Sequence, residues 1–340
     1  MDSRLKIPPN AKILVADLAF IGDLLMSTPA LANLRRAFPD ARIDIVVAPA
    51  SRPVIEHNPD VNWVLTTGLK SGGFKALRAE TERISREKYD LAISFHRAHG
   101  TLLMLKLAGI PRRIGFTNEG RRLLLTAGIP FQLYRHRAWN HIRLIEKCLG
   151  IDADYKIPTR LSLDPQAVER IGKRLDEAAP GARLAAVNPN ASWPTKRWPA
   201  ERFAEVADRL AATGFQTLLI GSPSDKPISD TVKSMMTSNP LDFTGETTLP
   251  ELAALISRCE ILVTNDSGPM HIAQAVGTPV VSVFGPTDPA RCGPWLSETE
   301  PLQAGIDCIK CYRKSCWHLR CMRQVTSESV IRVARSCLGM

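Results

Sequence analysis

Short apolar runs rich in β-branched residues alternate along this chain with longer segments whose apolar positions recur at helical spacing, the pattern of parallel α/β architecture. Residues 12–16 (KILVA), 43–47 (IDIVV) and 90–95 (DLAISF) read as strands of a first sheet. Between the first two, Leu24, Leu31, Leu34 and Phe38 fall on one helical face, which makes a βαβ unit. A second strand series follows at 183–187 (RLAAV), 216–220 (QTLLI), 260–264 (EILVT) and 279–283 (PVVSV), with helical segments such as 200–212 between them. The stretch Ile157–Pro165 carries two prolines and little periodicity, which suits a linker. The expectation is two α/β domains, 1–160 and 161–340, each a Rossmann-like parallel sheet facing the other across a cleft, with the C-terminal helix able to pack back on the first. A length of 340 residues agrees with two domains.

Ligands of open parallel sheets bind outside the carboxyl ends of the strands, where loops enter helices. The first such loop is Asp17-Leu-Ala-Phe-Ile-Gly22-Asp23. Gly22 permits close backbone approach, and Asp23 reads either as a helix cap or, if the helix proper starts at Ser27-Thr28-Pro29, as a base at the mouth of the sheet. A second loop, Val263-Thr-Asn-Asp266-Ser267-Gly268-Pro-Met-His271, joins a strand to a helix and offers amides, a hydroxyl and a glycine to a phosphate. His271 reads either as a donor at that phosphate or as a core histidine. Asp266 would repel a diphosphate, so it is expected to orient the loop. Phe284–Pro289 lies on the same rim, and Asn188–Pro199 brings Ser192 and Lys196 to it. Gly221–Asp225 places a carboxylate where ribose hydroxyls bind in other nucleotide folds.

Composition narrows the function. Apolar residues are 44% and charged residues 23%, as in an ordered globular protein. The apolar runs fall far short of the roughly 20 residues of a membrane span, and the N-terminus has no secretory pattern, so a cytoplasmic location is expected. Net charge is +10, with nine Lys or Arg and a single acid, Glu119, between Arg97 and Arg143. That segment reads as a solvated face or as a surface for an anionic partner. Four of the eight cysteines cluster as Cys308-x2-Cys311-x4-Cys316-x4-Cys321, a candidate zinc site or a set of free or paired thiols. P-loop, dinucleotide-fingerprint, zinc-protease and serine-hydrolase motifs are absent from the sequence.

Taken together, IGDLLMSTPALANLRRAFPDARIDIVV, ASWPTKRWP, VTNDSGPMHIAQAVGTPVVSVFGPTDP and the shorter RIGF at Arg113–Phe116 resemble family-nine glycosyltransferases, the lipopolysaccharide heptosyltransferases. The likeness runs from about Lys12 to Val330. It implies a GT-B fold and inverting transfer of a heptose from ADP-heptose to the phosphorylated inner core of lipopolysaccharide, without a required cofactor. Carried over by position, Asp23 is the base, Ser192 and Lys196 are diphosphate contacts, Asp225 a ribose contact and Thr247 a neighbour of the adenine. Gly22, Asp266, Ser267, Gly268 and His271 complete the ligand-binding set. The resemblance further implies a monomer, peripheral on the anionic inner membrane of a Gram-negative cell, with no nucleic acid partner. Asp17, Ala19 and Phe20 depart from the family pattern, where a basic residue and small hydroxyl residues are frequent. Rival readings are a same-fold enzyme using another nucleotide sugar, a basic nucleic-acid-binding module, and a catalytically dead binding protein.

Overall fold

The structure, a computed structural model, describes residues 5–69, 72–297 and 299–340. It divides into two compact units, Met1–Ser162 and Leu163–Met340. In the first, strands β1 (Lys12–Asp17), β2 (Arg42–Val47), β3 (Trp63–Thr66), β4 (Leu91–Ser94), β5 (Arg112–Phe116) and β6 (Ala127–Ile129) form an all-parallel sheet in the order β3-β2-β1-β4-β5-β6. In the second, β7 (Arg183–Asn188), β8 (Phe215–Leu219), β9 (Leu241–Asp242), β10 (Ile261–Asn265), β11 (Val280–Phe284) and β12 (Leu302–Gln303) lie in the order β12-β11-β10-β7-β8-β9. Numbered from each unit's own first strand, the two orders are the same Rossmann order, 3-2-1-4-5-6. The chain therefore reverses direction beside β1 in one unit and beside β7 in the other, and the switch points lie between β1 and β4 and between β7 and β10.

The helices of the first unit are α1 (Ile21–Leu25), α2 (Thr28–Ala37), α3 (Gly73–Glu87), α4 (His99–Leu107) and α5 (Arg137–Leu149). Those of the second are α6 (Pro165–Ala178), α7 (Ala200–Ala212), α8 (Lys226–Met235), α9 (Leu249–Ser257), α10 (Gly268–Val276), α11 (Pro289–Cys292), α12 (Arg320–Arg323) and α13 (Ser327–Cys337). The helical stretch expected after β1 is two helices. Pro29 has no N–H to give the Leu25 carbonyl, and the Thr28 hydroxyl takes that carbonyl instead at 2.7 Å, while the Ser27 hydroxyl bonds Leu24 at 2.7 Å. Ser27 thus turns its side chain back to α1 and does not cap α2 with it.

The central strands are buried on both faces, which is why they appear in the sequence as unbroken apolar runs. Leu14, Ala16, Val46 and Ala92 pack with Leu102, Met104 and Leu105 of α4. In the second unit, Val187, Val263 and Val283 pack with Phe203, Val206 and Leu210 of α7. Each fully buried side chain of this size contributes about 1.5–3 kcal/mol. The C-terminal helix α13 places Val330, Ile331 and Ala334 in this second core, beside α7, β10 and β11. Its apolar face is buried in that core.

Candidate functional site

At the switch point of the first sheet, a cavity of about 450 Å³ opens beyond the ends of β1 and β4, lined among others by Asp17, Phe20, Asp23, Phe95, Arg137 and His141. Asp17 ends β1, and Asp23 follows in the first turn of the short helix α1, so it is neither an N-cap nor part of an irregular turn. Gly22 is buried in the same turn. The Asp23 carboxylate is partly exposed and accepts an ion pair from Arg137 Nη1 of α5 at 3.1 Å. A partly exposed carboxylate held by one arginine keeps lone pairs for a substrate proton.

Two ionisable groups of this lining, Asp17 and His141, are buried. Asp17 is 2% exposed; its Oδ1 accepts the Ala19 amide at 3.3 Å, and its Oδ2 is buried without a partner. Burial first, then the charge of Asp23, push the Asp17 carboxyl up to about 7. His141 stacks on Phe95 at 4.6 Å between ring centroids, and its Nδ1 is buried without a partner. Burial, then the Arg137 charge, push its imidazole down to about 3, so it is neutral at ordinary pH. Neither Arg137 nor His141 was found from the sequence: both come from a helix more than a hundred residues after Asp23, and only the sheet order brings them together.

In the second unit, the loops after β7 and β10 meet at the corresponding switch point. Asn188 Nδ2 donates to Ser267 Oγ at 2.8 Å and to Thr264 Oγ1 at 2.9 Å. Asn265 Oδ1 accepts the Trp198 amide at 3.0 Å, and its Nδ2 donates to the Pro189 carbonyl at 2.9 Å. These two asparagines, which end their strands, fix the loop geometry. Because the Ser267 hydroxyl is engaged by Asn188, no side chain caps α10, and the helix presents its N-terminal end uncapped. Gly268 opens that helix, and a Cβ built on it would meet nothing within 4 Å among the described residues. His271 is buried one turn further along.

Asp266 is nearly buried, and its Oδ2 accepts Lys196 Nζ at 2.6 Å and Thr287 Oγ1 at 2.6 Å, contacts that tie three loops of this unit together. Lys196 lies 4.7 Å from the Trp193 ring centroid as well; an ammonium has three donors, so this pairing leaves it able to meet a phosphate. Ser192 is exposed in the same loop. Asp225 is partly committed: its Oδ2 accepts the Ser222 amide at 2.9 Å and hydroxyl at 2.6 Å, closing a capping box at the start of the following turn. Thr247 is half-buried between β9 and α9.

The four clustered cysteines line a separate cavity of about 350 Å³ with Asp307 and His318. Among the described residues no three His, Cys, Asp or Glu side chains stand where they would hold one metal ion. All eight cysteines are free. The segment bearing four of them rests on the loops just described: Thr195 Oγ1 donates to the Arg313 carbonyl at 2.8 Å, and Lys310 pairs with Asp288 at 3.0 Å.

Comparison with known proteins agrees with this arrangement. Lipopolysaccharide heptosyltransferase 2 of Salmonella typhimurium is 30% identical over 298 residues, covering 82% of this chain and 84% of that protein. The crystal structure of a family 9 glycosyl transferase from Veillonella parvula superposes with a TM-score of 0.88 at 27% identity, covering 98% of this chain and 99% of the other. The structure of Escherichia coli ADP-heptose lps heptosyltransferase II has the same fold, with a TM-score of 0.80 at 24% identity and coverage of 96% and 98%. The sequence pattern of glycosyltransferase family 9 (heptosyltransferase) matches residues 77–321, from α3 to α12. Two Rossmann-ordered units, with polar loops at both switch points and a family pattern across most of the chain, place it in glycosyltransferase family 9, as an enzyme of the GT-B class.

Proposed function

We propose that this glycosyltransferase moves a heptose from ADP-heptose to the phosphorylated inner core of lipopolysaccharide in one inverting step, with Asp23 as general base. The observation that carries the reading is the partly exposed Asp23 carboxylate held by Arg137 at the mouth of a cavity of sugar size. Asp23 takes the proton of the acceptor hydroxyl as that oxygen bonds to the anomeric carbon. The bond from that carbon to the ADP oxygen breaks, and its electron pair leaves with the diphosphate. Lys196, His271 and the uncapped start of α10 supply positive potential where the leaving charge develops. In this reading the protein's own groups neutralise the diphosphate, and no cofactor takes part. The donor reading is supported by the similarity to Escherichia coli ADP-heptose lps heptosyltransferase II; in it, Asp225 and Thr247 meet the ribose and adenine ends of the same nucleotide. The enzyme works as a monomer at the anionic cytoplasmic face of the inner membrane; among the described residues no helix is long and apolar enough to cross it.

The test is thermal unfolding with ADP, UDP, GDP and ADP-heptose, followed by ADP release with a lipopolysaccharide acceptor. A ligand at a hundred times its dissociation constant adds about 2.7 kcal/mol of apparent stability. Stabilisation by ADP and ADP-heptose, and loss of ADP release in Asp23→Asn with the ADP shift intact, is the expected result. Stabilisation by UDP or GDP alone overturns the donor, and no stabilisation by any nucleotide overturns the donor loops.

A further inference from the structure

Asp17 ends the strand from which the chain enters α1, and it lines the same cavity as Asp23. The two carboxyl groups are placed very differently. Asp23 is partly exposed and holds Arg137, whereas Asp17 is buried, with one oxygen on the Ala19 amide and the other without a partner. A buried carboxylate with an unmet oxygen is costly as an anion, and a second anion beside it adds to that cost. Where two neighbouring carboxyls interact strongly they titrate as a pair, and burial favours the proton on the buried member.

We propose that Asp17 and Asp23 form a carboxyl pair holding a single proton, resident on Asp17, so that Asp17 is a positioning residue that leaves Asp23 as the one anion of the pair and keeps Arg137 bound to it. The proposal rests on the reading of Asp23 as the base. Burial and the charge of Asp23 raise Asp17 to about 7, against smaller opposing pulls from Arg137, the Ala19 amide and the neighbouring Ser27 hydroxyl, whose own bond goes to the Leu24 carbonyl. The other titratable groups around the cavity leave this balance in place. His141 of α5 is held neutral by burial. His96, after β4, has its Nδ1 3.0 Å from Thr101 Oγ1, and Arg97 lies over the Phe131 ring at 4.5 Å. Arg121 is paired with Glu119. Asp23 and Arg137 are therefore the charges that decide the state of Asp17. Above the titration of Asp17 the cavity holds two anions that compete for one guanidinium and repel an anionic substrate.

Asp17→Asn keeps the shape and removes the titration. The ratio of its kcat/KM to that of the wild type is expected to rise about fivefold from pH 6 to pH 8.5, because only the wild type gains the second charge. Stability gives an independent readout. A carboxyl raised in the folded state destabilises the fold progressively as pH climbs from its unfolded value near 4 to its folded value. The Tm advantage of Asp17→Asn over the wild type should therefore grow from pH 5 to pH 8. Superimposable pH–rate profiles with a Tm difference that does not change with pH overturn the proposal. Asp23→Asn separates the two readings: an active variant overturns the base itself, whereas an inactive one beside an Asp17→Asn profile that follows the wild type overturns the shared proton alone. If Asp17→Asn does not fold, the aspartate carboxyl ¹³C resonances of the wild type decide. One titrating near pH 7 supports the pair, and completion of all of them below pH 5 overturns it.

Discussion

Among single residues, Asp266 and Gly268 separate stability from ligand binding within one loop. Asp266 is 6% exposed, and its Oδ2 is the ionic partner of Lys196. Removing one member of a buried pair leaves the other as an uncompensated charge, which typically costs about 3–5 kcal/mol. Asp266→Ala should therefore lower stability by about 3 kcal/mol in denaturant unfolding, and Asp266→Met with Lys196→Met should recover part of that loss. Gly268 predicts the opposite split. A methyl there meets no described residue within 4 Å, and replacing glycine inside a helix with alanine stabilises by about 0.4–1 kcal/mol where the backbone permits it. Gly268→Ala should keep or slightly raise the Tm of the free protein while shrinking the shift produced by ADP, because the space it fills is the approach to the amides of α10. An undiminished ADP shift would show that the diphosphate does not come close to this glycine. That Asp266 would orient its loop was the expectation from charge, since a carboxylate is a poor neighbour for a diphosphate. Its partners Lys196 and Thr287 were visible as parts of rim loops but not as its partners, because they lie 70 and 21 positions away in the chain.

At the level of elements, legibility followed burial. The strands β1, β2, β4, β7, β8, β10 and β11 are buried runs and stood out as such, whereas β3, β6, β9 and β12 are edge strands of two to four residues, incompletely buried and too short to stand out. The break between α1 and α2 was written in Ser27-Thr28-Pro29, but those residues suggest a cap, and only the bonds back to Leu24 and Leu25 show that they close the preceding helix. The cysteine segment was legible as a spacing and illegible as an arrangement. Its thiols differ in ways that chemistry can read. Amides of Leu319 and His318 pull the Cys316 thiol down, whereas burial pushes Cys148 up to about 11 and Cys259 up to about 12. The thiolate is the reactive form. Iodoacetamide at neutral pH should thus label Cys316 before any other cysteine and leave Cys148 and Cys259 unlabelled until the protein unfolds, as peptide mass mapping would show. Labelling of Cys308 or Cys311 ahead of Cys316 would mean that exposure, and not the amide contacts, sets the order.

For the whole molecule, the net charge of +10 resolves into two populations. Within the basic stretch from Arg97 to Arg143, some cations are used inside the fold: Arg113 donates to the Leu124 and Ile110 carbonyls, Arg121 is buried against Glu119, and Arg137 holds Asp23. The sequence count therefore overstates the charge offered outward. What remains exposed is Lys106, Arg122 and Arg135, each next in sequence to an exposed apolar side chain, Leu107 at 56%, Leu123 at 83% and Tyr134 at 91%. Lys106 Nζ lies 3.5 Å from the Leu123 carbonyl, so the end of α4 and the 121–124 turn are neighbours. Cations interleaved with apolar groups suit the interface of an anionic bilayer, where each Lys or Arg is worth about 1 kcal/mol. Flotation with phosphatidylglycerol vesicles should capture the protein at low salt and phosphatidylcholine vesicles should not. The capture should vanish at 1 M salt, where the Debye length falls to about 3 Å. The triple change Lys106→Glu, Arg122→Glu and Arg135→Glu should abolish capture with the ADP shift unchanged, since none of the three lies in the donor loops. Capture that survives 1 M salt would assign the binding to Leu107, Leu123 and Tyr134, and no capture at low salt would remove the membrane surface from the proposed function while leaving the sugar chemistry as it stands.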